Sequence, residues 1–198
     1  MKQMGMDPIA SNQEVVMVAD RLPRAPNSVP QPYSMRPFAE GDVPAWTAIQ
    51  TAADRYNEIT SALFQAAFGV ARDAHTERIL IACDGAGVPI GTAAAWMGDG
   101  DHAAVGRLHW VAVIPEHQGR GLGRALVMQA ITRLADLGHS TAYLTTSAAR
   151  LRAIHLYDRC GFRPLVDTDS DRQTWDAIAR ALADGGRPLR PRVSSNER

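Results

Sequence analysis

The chain has 198 residues, enough for one domain with a real hydrophobic core. Apolar residues make up 45% and charged residues 21%, a balance that excludes a wholly disordered chain. The 21 basic and 21 acidic residues cancel, which speaks against a general nucleic-acid or anionic-membrane partner. No uninterrupted apolar run approaches the roughly 20 residues of a membrane span, and the first residues lack the long apolar stretch of a secretory signal. Cys83 and Cys160 lie far apart and read as small buried hydrophobes of a reducing compartment. The six histidines are scattered without ligand spacing, so no metal site is expected. Together these readings place the protein in the cytoplasm.

In chain order, residues 1–32 read as an N-terminal extension or linker, with Pro23, Pro26, Pro30 and Pro32 crowding one short segment. Within it, Val15 to Val18 fits either a short strand or a docking segment. Residues 33–184 read as the α/β domain. Tyr33 to Phe38 is a first strand. Asp42 is a plausible N-cap, with Pro44 in the first turn of a helix through Trp46, Ile49 and Ala53. A second helix spans Glu58 to Phe68. Arg78 to Cys83 is a buried strand, and Val88 to Met97 returns from it as a hairpin.

Leu108 to Ile114 is a further apolar strand that stops at Pro115. A glycine-rich turn leads into a helix reaching Leu137, with Gly138 as its stop. Thr141 to Thr146 is the next strand, and strand–helix–strand order of this length implies parallel strands joined by a crossover helix. A helix over Ala149 to Cys160, a strand over Phe162 to Val166 and a final helix containing Trp175, Ile178 and Leu182 complete the domain. Residues 185–198 have turn formers, prolines and little apolar content, and read as a flexible tail.

The informative stretch is Trp110 to Leu126. A buried strand delivers the chain to a turn with glycines at alternate positions, Gly119, Gly121 and Gly123, and a helix starts there. Glycines at such a junction expose backbone N–H groups, and the helix N-terminus adds unpaired donors and a partial positive charge. The result is a cradle for phosphate, flanked by Arg120 and Arg124. A dinucleotide-binding GxGxxG does not fit, because Arg124 or Leu126 falls where the third glycine belongs, and no Gly-Lys-Ser/Thr of a Walker loop is present.

These residues resemble the GNAT family of acyl-CoA-dependent N-acetyltransferases. Its Gln/Arg-x-x-Gly-x-Gly/Ala signature is matched by Gln118, Gly121 and Gly123, preceded by the typical Val113-Ile114-Pro115. A second block, Ala153-Ile154-His155-Leu156-Tyr157 followed by Cys160-Gly161-Phe162, is similar to the family's A-x-x-L-Y and Gly-Phe. The likeness is strongest over residues 105–166. It implies a mixed central sheet flanked by helices, with a splay between parallel strands 4 and 5, here Leu108–Ile114 and Thr141–Thr146.

The resemblance implies acetyl-CoA as acyl donor. The pantetheine arm is expected on main-chain groups of Val111 and Val113, and the pyrophosphate on the backbone of Gln118, Gly119, Arg120, Gly121, Leu122, Gly123 and Arg124. Many relatives have Asn where this chain has Arg150, which is read here as a contact to a phosphate of the donor or as a solvated side chain.

Transfer to an amine needs a neutral amine, a stabilised oxyanion and a proton for the leaving sulfur. Tyr157 matches the family's tyrosine and is the expected acid. A backbone N–H near Val111 suits the oxyanion. His109 is a candidate base, set by alternation on the face of Val111 and Val113; a half-buried structural histidine is the alternative. Asp54, Tyr56 and Glu58 stand in the region that usually lines the acceptor site in this family. The expected function is direct transfer of acetyl from acetyl-CoA to a primary amine of a small molecule in a ternary complex. A protein or peptide acceptor, and a non-catalytic acyl-CoA-binding module, are the competing readings. No nucleic-acid or membrane partner is expected, and folds of this family often pair as homodimers.

Overall fold

The computed structural model describes residues 8–23, 28–69, 72–183 and 189. Chain contacts divide the molecule into two compact units, residues 22–140 and residues 1–21 with 141–198. In residues 1–21, Glu14–Ala19 forms strand β1. Residues 22–140 contain β2 (Ser34–Pro37), α1 (Val43–Ala53), α2 (Ser61–Phe68), α3 (Arg72–Arg78), β3 (Ile79–Cys83), β4 (Pro89–Met97), β5 (Gly106–Val113) and α4 (Leu122–Asp136). Residues 141–182 add β6 (Ala142–Ser147), α5 (Leu151–Arg159), β7 (Arg163–Pro164) and α6 (Asp169–Leu182). The α/β class expected from the sequence holds. The two strands expected to splay are β5 and β6.

In the larger unit β2, β3, β4 and β5 are neighbours in that order and pair antiparallel. Alternation along β4 sends Ala94 and Trp96 into an aromatic core with Phe38, Trp46, Phe64 and Phe68. Gly91 faces the other way, where an added Cβ would lie 3.0 Å from Leu126 of α4. Helix α4 holds to the sheet through Leu122, Leu126, Ala130, Ile131 and Leu134, all fully or nearly fully buried. Their three- and four-residue spacing is what makes that segment helical and one-faced.

Asp42 does precede α1, but its side chain caps nothing there. Its carboxylate accepts both Arg36 guanidinium nitrogens, at 2.6 and 2.9 Å, and the Ala39 N–H at 2.7 Å. The second helix begins at Ser61 rather than Glu58, because the Thr60 hydroxyl accepts the Leu63 N–H and fixes the start. Arg78, read as the first residue of a strand, closes α3 instead.

In the smaller unit β1 lies between β6 and β7 and is antiparallel to both. Part of the segment read as an extension is therefore a strand hydrogen-bonded on two sides, with Val15, Met17, Val18 and Ala19 buried. Strand β7 is only two residues long, and Pro164 has no N–H to extend it. Helix α6 starts with a reciprocal capping box between Thr168 and Asp171. The tail expected at residues 185–198 lies outside the described residues apart from Leu189.

Candidate active site

The glycine-rich turn expected to hold the donor is built where β5 ends. After Val113 the chain makes a single 3₁₀ turn over Pro115–His117. The Gln118 side chain then turns back, and its Nε2 donates to the Val113 carbonyl at 2.8 Å. That bond closes the loop and leaves the backbone of the next residues outward. Gly119 and Gly121 both have positive φ, +75° and +82°, a region costly to residues with a Cβ. Gly121 is the N-cap of α4, and the first helical bond runs from the Ala125 N–H to the Gly121 carbonyl at 3.1 Å. The N–H groups of Leu122, Gly123 and Arg124 are thus the donors of the first turn.

Space above this turn is open. A Cβ at Gly119 would meet nothing within 4 Å, and one at Gly121 would meet only Pro30 Cγ, at 3.5 Å. Gln118, Gly119, Arg120, Gly121 and Arg124 are exposed, whereas Leu122 is buried and pins the helix start. An exposed ring of backbone donors with two guanidinium groups beside it fits a pyrophosphate. The turn is also braced from Tyr33, just before β2. Arg120 Nη1 donates to the Tyr33 hydroxyl at 3.3 Å, and His117 Nδ1 lies 3.2 Å from the same oxygen. Tyr33 is buried. The sequence reading used it only as the start of a strand, and no local pattern marks its reach to residue 120.

Strand β5 is irregular where Val111 lies. Thr92 pairs with Ala112 and Ala94 with His109, so Trp110 and Val111 together face Ala93. Two residues against one is a β-bulge. Trp110 takes φ +48°, a left-handed conformation that costs a bulky residue about 1–3 kcal/mol. The bulge corrects the expectation for His109, because it breaks the alternation that would have set it on one face with Val111 and Val113. The His109 ring packs edge-on against Phe68, 5.6 Å between centroids. Burial, with a smaller contribution from the Arg107 charge, pushes its pKa down to about 3.

Gln50 of α1, which is 3% exposed, donates from Nε2 to the Trp110 carbonyl at 2.9 Å. One turn earlier on the same helix, Trp46 packs edge-on against Trp110, with 5.2 Å between ring centroids. The sequence reading passed over Gln50. The available signal was a polar residue at the position four after Trp46, on the buried stripe of an apolar helix. Among the described residues, the indole N–H groups of Trp46 and Trp110 and the Thr92 hydroxyl are buried without a hydrogen-bond partner.

In the smaller unit Tyr157 lies on the buried face of α5, its ring 6.3 Å from that of Phe162. Burial pushes its hydroxyl pKa up to about 12, with the Arg150 charge acting in the opposite direction. Arg150 is the N-cap of α5. Its placement beside the helix that bears Tyr157 gives it an electrostatic hold on the hydroxyl.

Asp54, expected near the acceptor, is the C-cap of α1. Its Oδ1 accepts the Tyr56 N–H at 2.8 Å and the Asn57 N–H at 3.3 Å, and its Oδ2 accepts the Asn57 Nδ2 at 2.7 Å. Asp54 therefore shapes the loop that presents Tyr56, which is 50% exposed, and Glu58, also exposed. Among the described residues no three His, Cys, Asp or Glu side chains gather as a metal site, and no helix is long and apolar enough to cross a membrane.

Comparison with known proteins fits this geometry. A mycothiol acetyltransferase from Pseudarthrobacter chlorophenolicus is 35% identical over 149 residues, 71% of this chain and 45% of that protein. The chain spans less than half the length of the curated relatives it matches. The crystal structure of a GCN5-related N-acetyltransferase from Sphaerobacter thermophilus superposes with a TM-score of 0.63 at 24% identity, covering 76% of this chain and 48% of that one. A Mycobacterium tuberculosis protein solved in complex with CoA superposes with a TM-score of 0.53 at 21% identity, covering 74% of this chain and 81% of that one. Both solved structures share the fold. Residues 43–162 match the acetyltransferase (GNAT) family, the stretch from α1 through the glycine-rich turn to the Gly-Phe after α5, and the chain belongs to that family.

Proposed function

We propose that this chain is an N-acetyltransferase that moves the acetyl group of acetyl-CoA directly to a primary amine of a small molecule, within a ternary complex. The observation behind it is the open turn at Gly119–Arg124, whose backbone donors and flanking arginines suit a pyrophosphate. Acetyl-CoA is the donor used by the family to which the chain belongs. A small acceptor is favoured by relatives that carry the name mycothiol acetyltransferase.

In this reading Val111 supplies the N–H that meets the thioester oxygen, and Tyr157 donates to the departing sulfur. A phenol held at about 12 keeps its proton throughout the working pH range. Against a thiol of about 8.5 it acts as a hydrogen-bond donor that eases charge onto sulfur, with full proton transfer left to solvent. His109 does not serve as proton acceptor here. Passing a proton from an ammonium of pKa about 10 to an imidazole held at about 3 is uphill by roughly 10 kcal/mol. Its neutral ring instead packs against Phe68 of the aromatic core. Glu58 is the exposed carboxylate left to accept the amine proton through water. Arg150 is assigned to the donor through its effect on Tyr157. Cys83 and Cys160, both buried and neither in a disulfide, suit a reducing, cytoplasmic setting.

The test is a panel of primary amines with acetyl-CoA, read by thiol release and by mass of the products. Acetylation of a small amine supports the reading. Acetylation of peptide N-termini alone moves the acceptor to proteins. Donor binding with no transfer to either leaves a binding module.

A further inference from the structure

We infer that Gln50 is a positioning residue for the donor thioester: its amide holds the Trp110–Val111 peptide in the one orientation that presents the Val111 N–H. This deepens the function proposed above and rests on it.

A tryptophan does not settle at φ +48° unaided, since left-handed backbone brings its Cβ against the neighbouring carbonyl. Something must hold it. Helix α1 grips Trp110 twice, by the ring contact from Trp46 and by the hydrogen bond from Gln50 to its carbonyl. The second grip has the larger chemical consequence. A trans peptide is planar, with its carbonyl and its N–H pointing opposite ways. The Trp110 carbonyl and the Val111 N–H belong to one such plane. Fixing the carbonyl at 2.9 Å from Gln50 Nε2 therefore fixes the Val111 N–H direction, away from α1. Val111 lies inside the bulge, where two residues face Ala93 alone, so the regular ladder of β4 and β5 does not set that direction.

The placement of Gln50 itself asks for a reason. It is 3% exposed on a helix face otherwise formed by Trp46 and Ile49. Burying an amide is costly unless its hydrogen bonds are made. An aliphatic side chain would serve packing there equally well but has no donor for the Trp110 carbonyl.

The experiment compares acetyl-CoA with CoA, which share every group except the acyl. Binding of each to the full chain is measured by calorimetry for the native protein, for Gln50→Leu, and for Gln50→Asn, whose amide is one methylene short. Thermal melting checks that each variant is folded. One hydrogen bond to the thioester predicts that acetyl-CoA weakens by about 3- to 10-fold in both variants, while CoA stays within about twofold. Loss of both ligands in equal measure from a folded variant, or loss of neither, would overturn the assignment of Gln50 and leave the donor site standing. If the native chain binds neither ligand, the donor-site reading itself falls, and the inference with it.

Discussion

The guanidinium of Arg120 donates to the hydroxyl of Tyr33 at 3.3 Å, although 87 positions separate them in sequence. Tyr33 is buried where the chain enters β2, whereas Arg120 is exposed on the turn before α4. The bond holds a long, flexible cation at the rim of the donor cradle. His117, on the same turn, shares the oxygen. Losing one such bond shifts a binding equilibrium by about 0.5–1.5 kcal/mol. Tyr33→Phe is therefore expected to weaken acetyl-CoA by about 2- to 10-fold while the melting temperature changes little, as calorimetry and thermal denaturation will show. An unchanged affinity would mean that Arg120 is placed without help from Tyr33.

Tyr157→Phe removes the proposed donor to sulfur and keeps the ring that packs near Phe162. A hydrogen bond to charge developing on sulfur is worth about 1.5–3 kcal/mol, or about 10- to 150-fold in rate. Turnover of an amine found in the acceptor panel should fall by about that factor, with acetyl-CoA affinity held within about twofold. A variant that turns over at the native rate would remove Tyr157 from the chemistry.

His109 predicts a pH dependence of stability. Its folded pKa, about 3, lies below the unfolded value of about 6.5. Between these values the unfolded chain binds the proton and the folded chain does not. The His109 contribution is thus complete above about pH 6.5 and is lost as pH falls toward 3, with a slope of at most about 1.4 kcal/mol per pH unit. Urea unfolding of native protein and His109→Gln at several pH values between 4 and 7 will separate this from other groups. The native curve should fall more steeply with acid. Parallel curves would show that the ring is hydrated and titrates normally. The same argument predicts no limb from His109 in the pH profile of turnover above pH 5.

Much of the frame was legible because its signals are local. The apolar stripe of α4, the turn glycines before it and the buried run of β3 each follow from a few adjacent residues. The open glycine turn that starts α4 was legible for the same reason. What escaped depends on distant partners or on broken periodicity. Helix α3 is short and mostly charged, and its buried histidine gives no apolar stripe to detect. The bulge at Trp110 is invisible in a run that alternates acceptably, so the face of His109 was misassigned. Gln50 and Tyr33 are ordinary residues until the fold brings them to Trp110 and Arg120. Strand β1 was readable only as one of two alternatives, because Val15 to Val18 has no turn signal tying it to β6 or β7.

The central claim is that residues 118–124 hold the pyrophosphate of acetyl-CoA. The most direct test is calorimetric titration of acetyl-CoA into the native chain and into Gly121→Glu, with melting curves for both. Position 121 has φ +82° and its Cβ would meet only Pro30 Cγ, at 3.5 Å, so the variant places a carboxylate at the cradle and adds backbone strain of about 1 kcal/mol. Saturable binding by the native chain, lost in a variant that remains folded, is the predicted result. Equal binding by both proteins, or none by a well-folded native chain, would contradict the account.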